Sequence, residues 1–89
     1  MNYTISPDAA FAAVEDGAVV LHMGTKRYYS LNETGTFIWQ RLEGGTARAA
    51  IVAQLVGEFD VDVTEAERAV DRLLEELVEE SLIRRVETA

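Results

Sequence analysis

At 89 residues the chain has room for one domain, and a domain this small buries only a little over roughly 60% of its unfolded surface, leaving little depth for a water-excluding active site. Apolar residues make up 48% and charged residues 27% of the chain, the balance of a folded globule and not of a disordered segment. Sixteen acidic against eight basic side chains give a net charge of −8, which leaves no basic surplus for a phosphate-neutralising face, and the absence of cysteine removes disulfides, thiolate nucleophiles and zinc-thiolate sites together.

The opening MNYTISPDAAF has no basic region followed by an apolar run, and no stretch approaches the roughly eighteen apolar residues of a membrane span. A cytoplasmic protein with no membrane association is expected. Tyr3 to Ile5 is a strand candidate that Ser6-Pro7-Asp8 ends. Ala9 to Ala13 is short and alanine-rich, and suits a loop or a single helical turn. Glu15-Asp16-Gly17 signals a turn, and Ala18 to Met23 is a short β-branched, apolar strand. Gly24-Thr25 then reads as a two-residue, type II′ connection into a strand over Lys26 to Leu31. Period-two alternation sends Tyr29 and Leu31 to one face of that strand and Tyr28 and Ser30 to the other; a one-residue slip exchanges the two sets.

Asn32 is a strong N-cap for a helix from about Glu33 to Leu42, in which Ile38 and Trp39 anchor the core beside Phe37 and Leu42. Gly44-Gly45 stops it. Thr46 is read as the cap of a second helix, whose Ile51, Val52, Leu55, Val56 and Phe59 recur at three and four. Thr64 and Glu67 have the spacing of a capping box for a third helix ending near Glu80 or Ser81. Leu82 to Val86 forms a last strand, as a wing or as a pairing for the N-terminal sheet. On a wheel, Ala66, Val70, Leu73 and Leu77 of the third helix fall within about 60° and form its core stripe. Leu74 and Val78 lie on one flank, next to Glu67 and Asp71, as apolar width beyond one packing face.

Catalytic readings find little support. The carboxylates fall on helix faces that read as solvated, and His22, with no cysteine or second histidine to join it, reads as a hairpin side chain. Asp60, Asp62 and Thr64 imitate the start of a calcium loop, but Glu65 stands where glycine is needed and Arg68 follows, so no metal site is assigned. Gly44-Gly45 lacks the preceding strand and following lysine of a phosphate cradle. Three helices and a wing also suggest a winged helix-turn-helix regulator. Its reading helix would carry Glu65, Glu67, Asp71, Glu75, Glu76, Glu79 and Glu80 against Arg68 and Arg72, a surface that repels phosphate, so no nucleic-acid partner is expected.

The aromatic strand ending in Leu31-Asn32, the following Glu33-Thr34-Gly35 and the Ile38-Trp39 pair resemble the PqqD family. The likeness runs on through Phe59-Asp60-Val61 and Val70 to Leu77, covering roughly residues 18 to 86. It implies an α+β fold: an N-terminal three-stranded antiparallel sheet (about residues 1–31) packed on a three-helix, winged helix-turn-helix-like bundle (about 32–86), a single domain over 1–89. It also implies a non-catalytic protein without cofactor that captures the leader segment of a precursor peptide by β-strand addition and presents it to a separate processing enzyme. The stand-alone proteins of lasso-peptide biosynthesis are most alike, with a leader protease as partner; the alternative is a peptide chaperone for a radical enzyme in pyrroloquinoline quinone-type biosynthesis. Strand addition also follows from physics, because an edge strand offers unpaired backbone groups. The residues assigned to peptide binding are Lys26, Arg27, Tyr28, Tyr29, Ser30 and Leu31, facing Leu74 and Val78, with Glu67, Asp71 and Glu75 placed to meet basic leader residues. The same edge permits self-pairing, so a homodimer would compete with the leader.

Overall fold

The computed structural model describes residues 2–86. Its elements are β1 (Asn2–Ile5), β2 (Ala9–Val14), β3 (Gly17–His22), β4 (Tyr28–Leu31), α1 (Glu33–Glu43), α2 (Arg48–Glu58), α3 (Val63–Glu79) and β5 (Ile83–Val86). The architecture is α+β, with three helices and two antiparallel sheets among the described residues.

The larger sheet runs β2-β3-β4, while β1 pairs with β5 in a separate two-stranded ribbon. This corrects the sequence reading in two places. Ala9 to Ala13 is neither loop nor helical turn but most of β2, because Phe11 needs a strand to reach the core: it sits opposite Val20 and stacks on Trp39, ring centroids 6.4 Å apart. The Tyr3 strand is therefore displaced from the sheet and takes the C-terminal strand as its partner, with Tyr3 opposite Arg85 and Ile5 opposite Ile83.

The β3-β4 connection also differs from expectation. His22 N–H donates to the Arg27 carbonyl and Lys26 N–H to the His22 carbonyl, and five residues, 23–27, connect the two strands. Lys26 takes the positive φ of 64°. The His22 ring explains the wider loop, since its Nδ1 accepts from the N–H groups of Gly24 and Thr25, each at 3.1 Å. That role consumes the histidine in turn geometry. The strand proper begins at Tyr28, leaving Lys26 and Arg27 in the connection.

Phe11, Val20, Tyr29 and Leu31 point from the sheet toward the helices, and Ile38, Trp39, Ile51, Leu55, Val70, Leu74 and Leu77 meet them in one buried cluster. Asn32 caps α1 as expected, its side chain accepting from Gly35 N–H at 2.8 Å. The other two caps fall elsewhere. Ala47, without a side-chain hydrogen bond, precedes α2 where Thr46 was expected, and Asp62 caps α3 by accepting from Glu65 N–H at 2.8 Å, displacing the Thr64 and Glu67 box. Asp62 is the better acceptor, and its negative charge suits a helix start.

Gly17 is required where β3 begins. Its φ is +157°, and a Cβ there would stand 1.9 Å from the Leu31 carbonyl oxygen, so the close approach of β3 to the end of β4 excludes any side chain.

Candidate functional site

β4 is the outer strand of its sheet. The His22–Arg27 hydrogen bond sets the phase of the β3-β4 ladder, with Val20 opposite Tyr29 and Ala18 opposite Leu31. By antiparallel alternation those two pairs exchange hydrogen bonds, which turns the N–H and C=O groups of Tyr28 and Ser30 outward, away from β3. The unpaired edge therefore presents two donors and two acceptors over the length of β4.

This edge borders a groove of about 660 Å³ whose other wall is α3. Tyr29, Ser30, Leu31 and Asn32 form one side, Thr34, Gly35 and Ile38 come from the start of α1, and Ala69, Arg72, Leu73 and Glu76 form the helical wall. Gly35 keeps its end of the groove open, because a Cβ there would press on the Leu31 side chain at 3.1 Å.

The polar groups are few and coupled. The Tyr29 hydroxyl donates to the Glu76 carboxylate, and Arg72 reaches the same carboxylate along the helix at 3.7 Å. Burial first, then the hydrogen bond to Glu76 and its negative charge, push the Tyr29 phenol up to about 12. At neutral pH it is a fixed donor. Arg27 pairs with Glu80 at 3.3 Å and links the β3-β4 loop to the end of α3.

Several residues assigned from sequence lie elsewhere. Leu74 is 2% exposed and belongs to the core, so it is no open flank. Val78 lines a different hollow, against Thr4, Ile5, Pro7 and Ile83 of the ribbon side. Glu67 and Asp71 turn toward α2, where Arg48 holds Asp71 with two bonds of 2.5 and 2.8 Å and reaches Glu67 at 3.5 Å. That guanidinium, through its hydrogen bonds to Asp71, holds the Asp71 carboxyl below its ordinary value. Glu75 is exposed and does not line the groove. Lys26 is exposed in the loop, and Tyr28, 71% exposed, points away from α3.

The physical reason is the helix wheel. A core stripe has two flanks, and periodicity does not say which one meets the sheet edge. The flank of Leu74 and Val78 is covered by α2 and the ribbon, whereas Ala69, Arg72, Leu73 and Glu76, on the opposite flank, face β4. One signal in the sequence points there: positions 69, 72, 73 and 76 have one-face helical spacing, and the inward tyrosine, Tyr29, needs a polar partner at that depth.

The described residues thus define a class: a small α+β domain with an open strand edge set against a helix, the two separated by a groove. The chain belongs to the PqqD family, matching the description "Coenzyme PQQ synthesis protein D (PqqD)" over residues 17–83. Two solved structures are similar over nearly their whole length. One, "TbiB1 in Complex with the TbiA(beta) Leader Peptide", is 30% identical with a TM-score of 0.86, covering 96% of this chain and 99% of that one. The other, "Lasso peptide synthetase B1 complexed with the leader peptide", is 30% identical with a TM-score of 0.85, covering 93% and 98%. No curated protein matches the chain.

No helix among the described residues is long and apolar enough to cross a membrane.

Proposed function

We propose that this chain is a non-catalytic leader-peptide-binding protein, which takes the leader of a precursor peptide as an added strand on the outer edge of β4 and presents it to a separate processing enzyme in the cytoplasm. The observation that carries the reading is the unpaired edge at Tyr28 and Ser30 opening into the groove walled by α3. The likeness to two proteins solved with leader peptides supports it and favours a lasso-peptide pathway, with a leader protease as the enzyme.

The mode divides the work. Backbone groups of Tyr28 and Ser30 pair with the leader whatever its sequence, and alternate leader side chains drop into the groove over Leu31, Ile38, Ala69 and Leu73. Tyr29, Arg72 and Glu76 form a polar patch there, in the place first given to Glu67, Asp71 and Glu75. Lys26 and Arg27 flank the start of the docking edge. Up to four ladder hydrogen bonds at about 1 kcal/mol each, plus two or three buried side chains at about 2 kcal/mol each, give on the order of 8–10 kcal/mol gross. Association and ordering costs take back several kcal/mol or more, so affinity near micromolar suits a carrier that must release its cargo.

A second reading, a peptide chaperone for a radical enzyme in quinone-cofactor biosynthesis, is favoured by the family's description. It uses the same edge. The winged-helix reading treats the β1-β5 ribbon as a wing beside α3. In that arrangement α3 presents acidic residues, against binding to DNA.

Titration of the purified chain with the leader encoded in its genomic neighbourhood, by calorimetry or fluorescence polarisation, tests the proposal. Saturable binding near micromolar is expected, and none below about 100 micromolar refutes it. A leader from a quinone-cofactor precursor, titrated in parallel, separates the two pathways.

A further inference from the structure

The outward face of the larger sheet is as apolar as its inward face. Its outward positions are Ala10, Ala12 and Val14 on β2, Val19 and Leu21 on β3, and Tyr28 and Ser30 on β4, with Leu21 between Ala10 and Tyr28 and Val19 between Ala12 and Ser30. No Asp, Glu, Lys or Arg occurs in the three strands AAFAAV, GAVVLH and YYSL, although 27% of the chain is charged. An antiparallel sheet with one face in water normally alternates apolar-in and polar-out. Here Val14, Leu21 and Tyr28 are 54%, 37% and 71% exposed, and Met23, at the hairpin end, is 47% exposed. They are four of the five large apolar side chains left exposed among the described residues. Neither the groove nor the core accounts for them.

The rim tells what covers the face. Asp8, just before β2, and Glu15 and Asp16, in the β2-β3 turn, stand at its ends, all exposed, against Lys26 and Arg27 in the β3-β4 loop, of which Arg27 is already paired with Glu80. A second copy would bring this acidic rim, and a net charge of −8, against its like. Size argues the same way: three strands about 4.8 Å apart and roughly 20 Å long offer on the order of 300 Å², whereas a stable interface takes about 800 Å² from each partner. The occupant must therefore add contacts at the rim, and only a basic rim gains from doing so.

We propose that the outer face of the β2-β3-β4 sheet docks the processing enzyme, through a surface on that enzyme with an apolar centre and a basic rim. The inference rests on the reading of the chain as a leader carrier. It assigns the enzyme to a face other than the groove, so both partners bind at once. Electrostatic steering by the acidic rim speeds the encounter, and the uncharged centre fixes the pose.

The test uses the full chain, the purified processing enzyme encoded beside it and the synthetic leader. Leu21→Glu, with Val14→Ser as the milder second variant, is expected to weaken enzyme binding at least tenfold and leave leader affinity within twofold. Circular dichroism checks that both variants fold. Enzyme affinity of the unchanged chain should fall at least fivefold between 50 and 300 mM salt, roughly the loss expected when an exposed charged rim is screened. Three results overturn the proposal: no enzyme binding by the unchanged chain, folded variants that bind the enzyme equally well, or sedimentation showing a dimer that Leu21→Glu dissociates. Loss of leader binding in the unchanged chain would instead refute the carrier reading, and it registers on the separate leader titration.

Discussion

Replacing Ser30 by proline isolates the proposed docking edge from everything else in the fold. The residue's N–H turns outward by the register of β4, so proline removes a donor that no backbone group among the described residues uses, and the Ser30 side chain lies on the exposed face. Edge strands tolerate proline where the N–H faces solvent. The fold should therefore survive with a small loss of stability. The bound complex should not escape so lightly: one ladder hydrogen bond disappears and a leader carbonyl is left facing the ring without a partner. Such a half-broken buried pair costs about 1–3 kcal/mol, and 2 kcal/mol corresponds to roughly thirtyfold in dissociation constant. Fluorescence polarisation with a labelled leader reads this directly, with circular dichroism confirming the fold. Two comparisons frame it. Tyr29→Pro removes an inward donor to β3 and should unfold the sheet, while Gln54→Ala, exposed on α2 far from the groove, should bind normally. Arg48→Ala is no neutral control, because Arg48 ties α2 to Asp71 and Glu67 of α3. If folded Ser30→Pro binds the leader within twofold of the unchanged chain, strand addition along β4 is wrong.

Other substitutions test the framework around that edge. Gly17→Ala places a methyl group 1.9 Å from the Leu31 carbonyl oxygen; a loss of about 2 kcal/mol or more, some 8 °C or more in Tm for a domain this size, is expected by thermal melting. Leu74→Ala should cost about 2–5 kcal/mol in a urea titration, as a core truncation does, with leader affinity retained in the folded fraction; a stable variant with weakened binding would restore Leu74 to the groove. Tyr29, with its pKa raised to about 12, gives stability that is complete below the unfolded-state value near 10 and is lost as pH rises through 12; ultraviolet titration should show one tyrosinate appearing near pH 12 and moving lower in Glu76→Gln. Asp71, its carboxyl held low by Arg48, acts in the opposite sense: its contribution is present above the unfolded-state pKa near 4 and fades as pH falls through the lower folded-state value. The pair is half-exposed, so Arg48→Ala should cost about 1 kcal/mol or less at pH 7, and nothing in acid once Asp71 is protonated.

What the sequence made legible followed from local chemistry. Asn32 could be read as a cap because an asparagine between a strand and an apolar helix has few other uses, and Ile38 and Trp39 could be read as core because they lie on the buried side of that helix. Their depth, 1% exposure each, matches. The misplaced elements all depended on partners distant in the chain. Ala9 to Val14 carries a weak strand signal in its alanines; Phe11 makes it a strand by stacking on Trp39, twenty-eight positions later. The hairpin connection is five residues long because the His22 ring binds its backbone, and two-residue turn statistics do not include that bond.

The reversal of α3 has the largest consequence for function. Leu74 and Val78 looked spare because the helix has more apolar width than a sheet alone covers, and the width is real. It serves packing inside the bundle and against the β1-β5 ribbon, which put the groove on the flank of Ala69, Arg72, Leu73 and Glu76. Tyr29 settles the phase physically. A tyrosine turned inward from an edge strand must satisfy its hydroxyl, and Glu76 is the acceptor on the flank of α3 that shares the groove with β4. Once Tyr29 is committed inward, Tyr28 and Ser30 must carry both the outward backbone groups and the outward side chains. One alternation therefore sets two surfaces: the edge proposed for the leader and the uncharged face proposed for the enzyme. A register slip of one residue in β4 would exchange the inward and outward sets together, turning Tyr29 away from Glu76 and bringing the exposed Tyr28 into the groove.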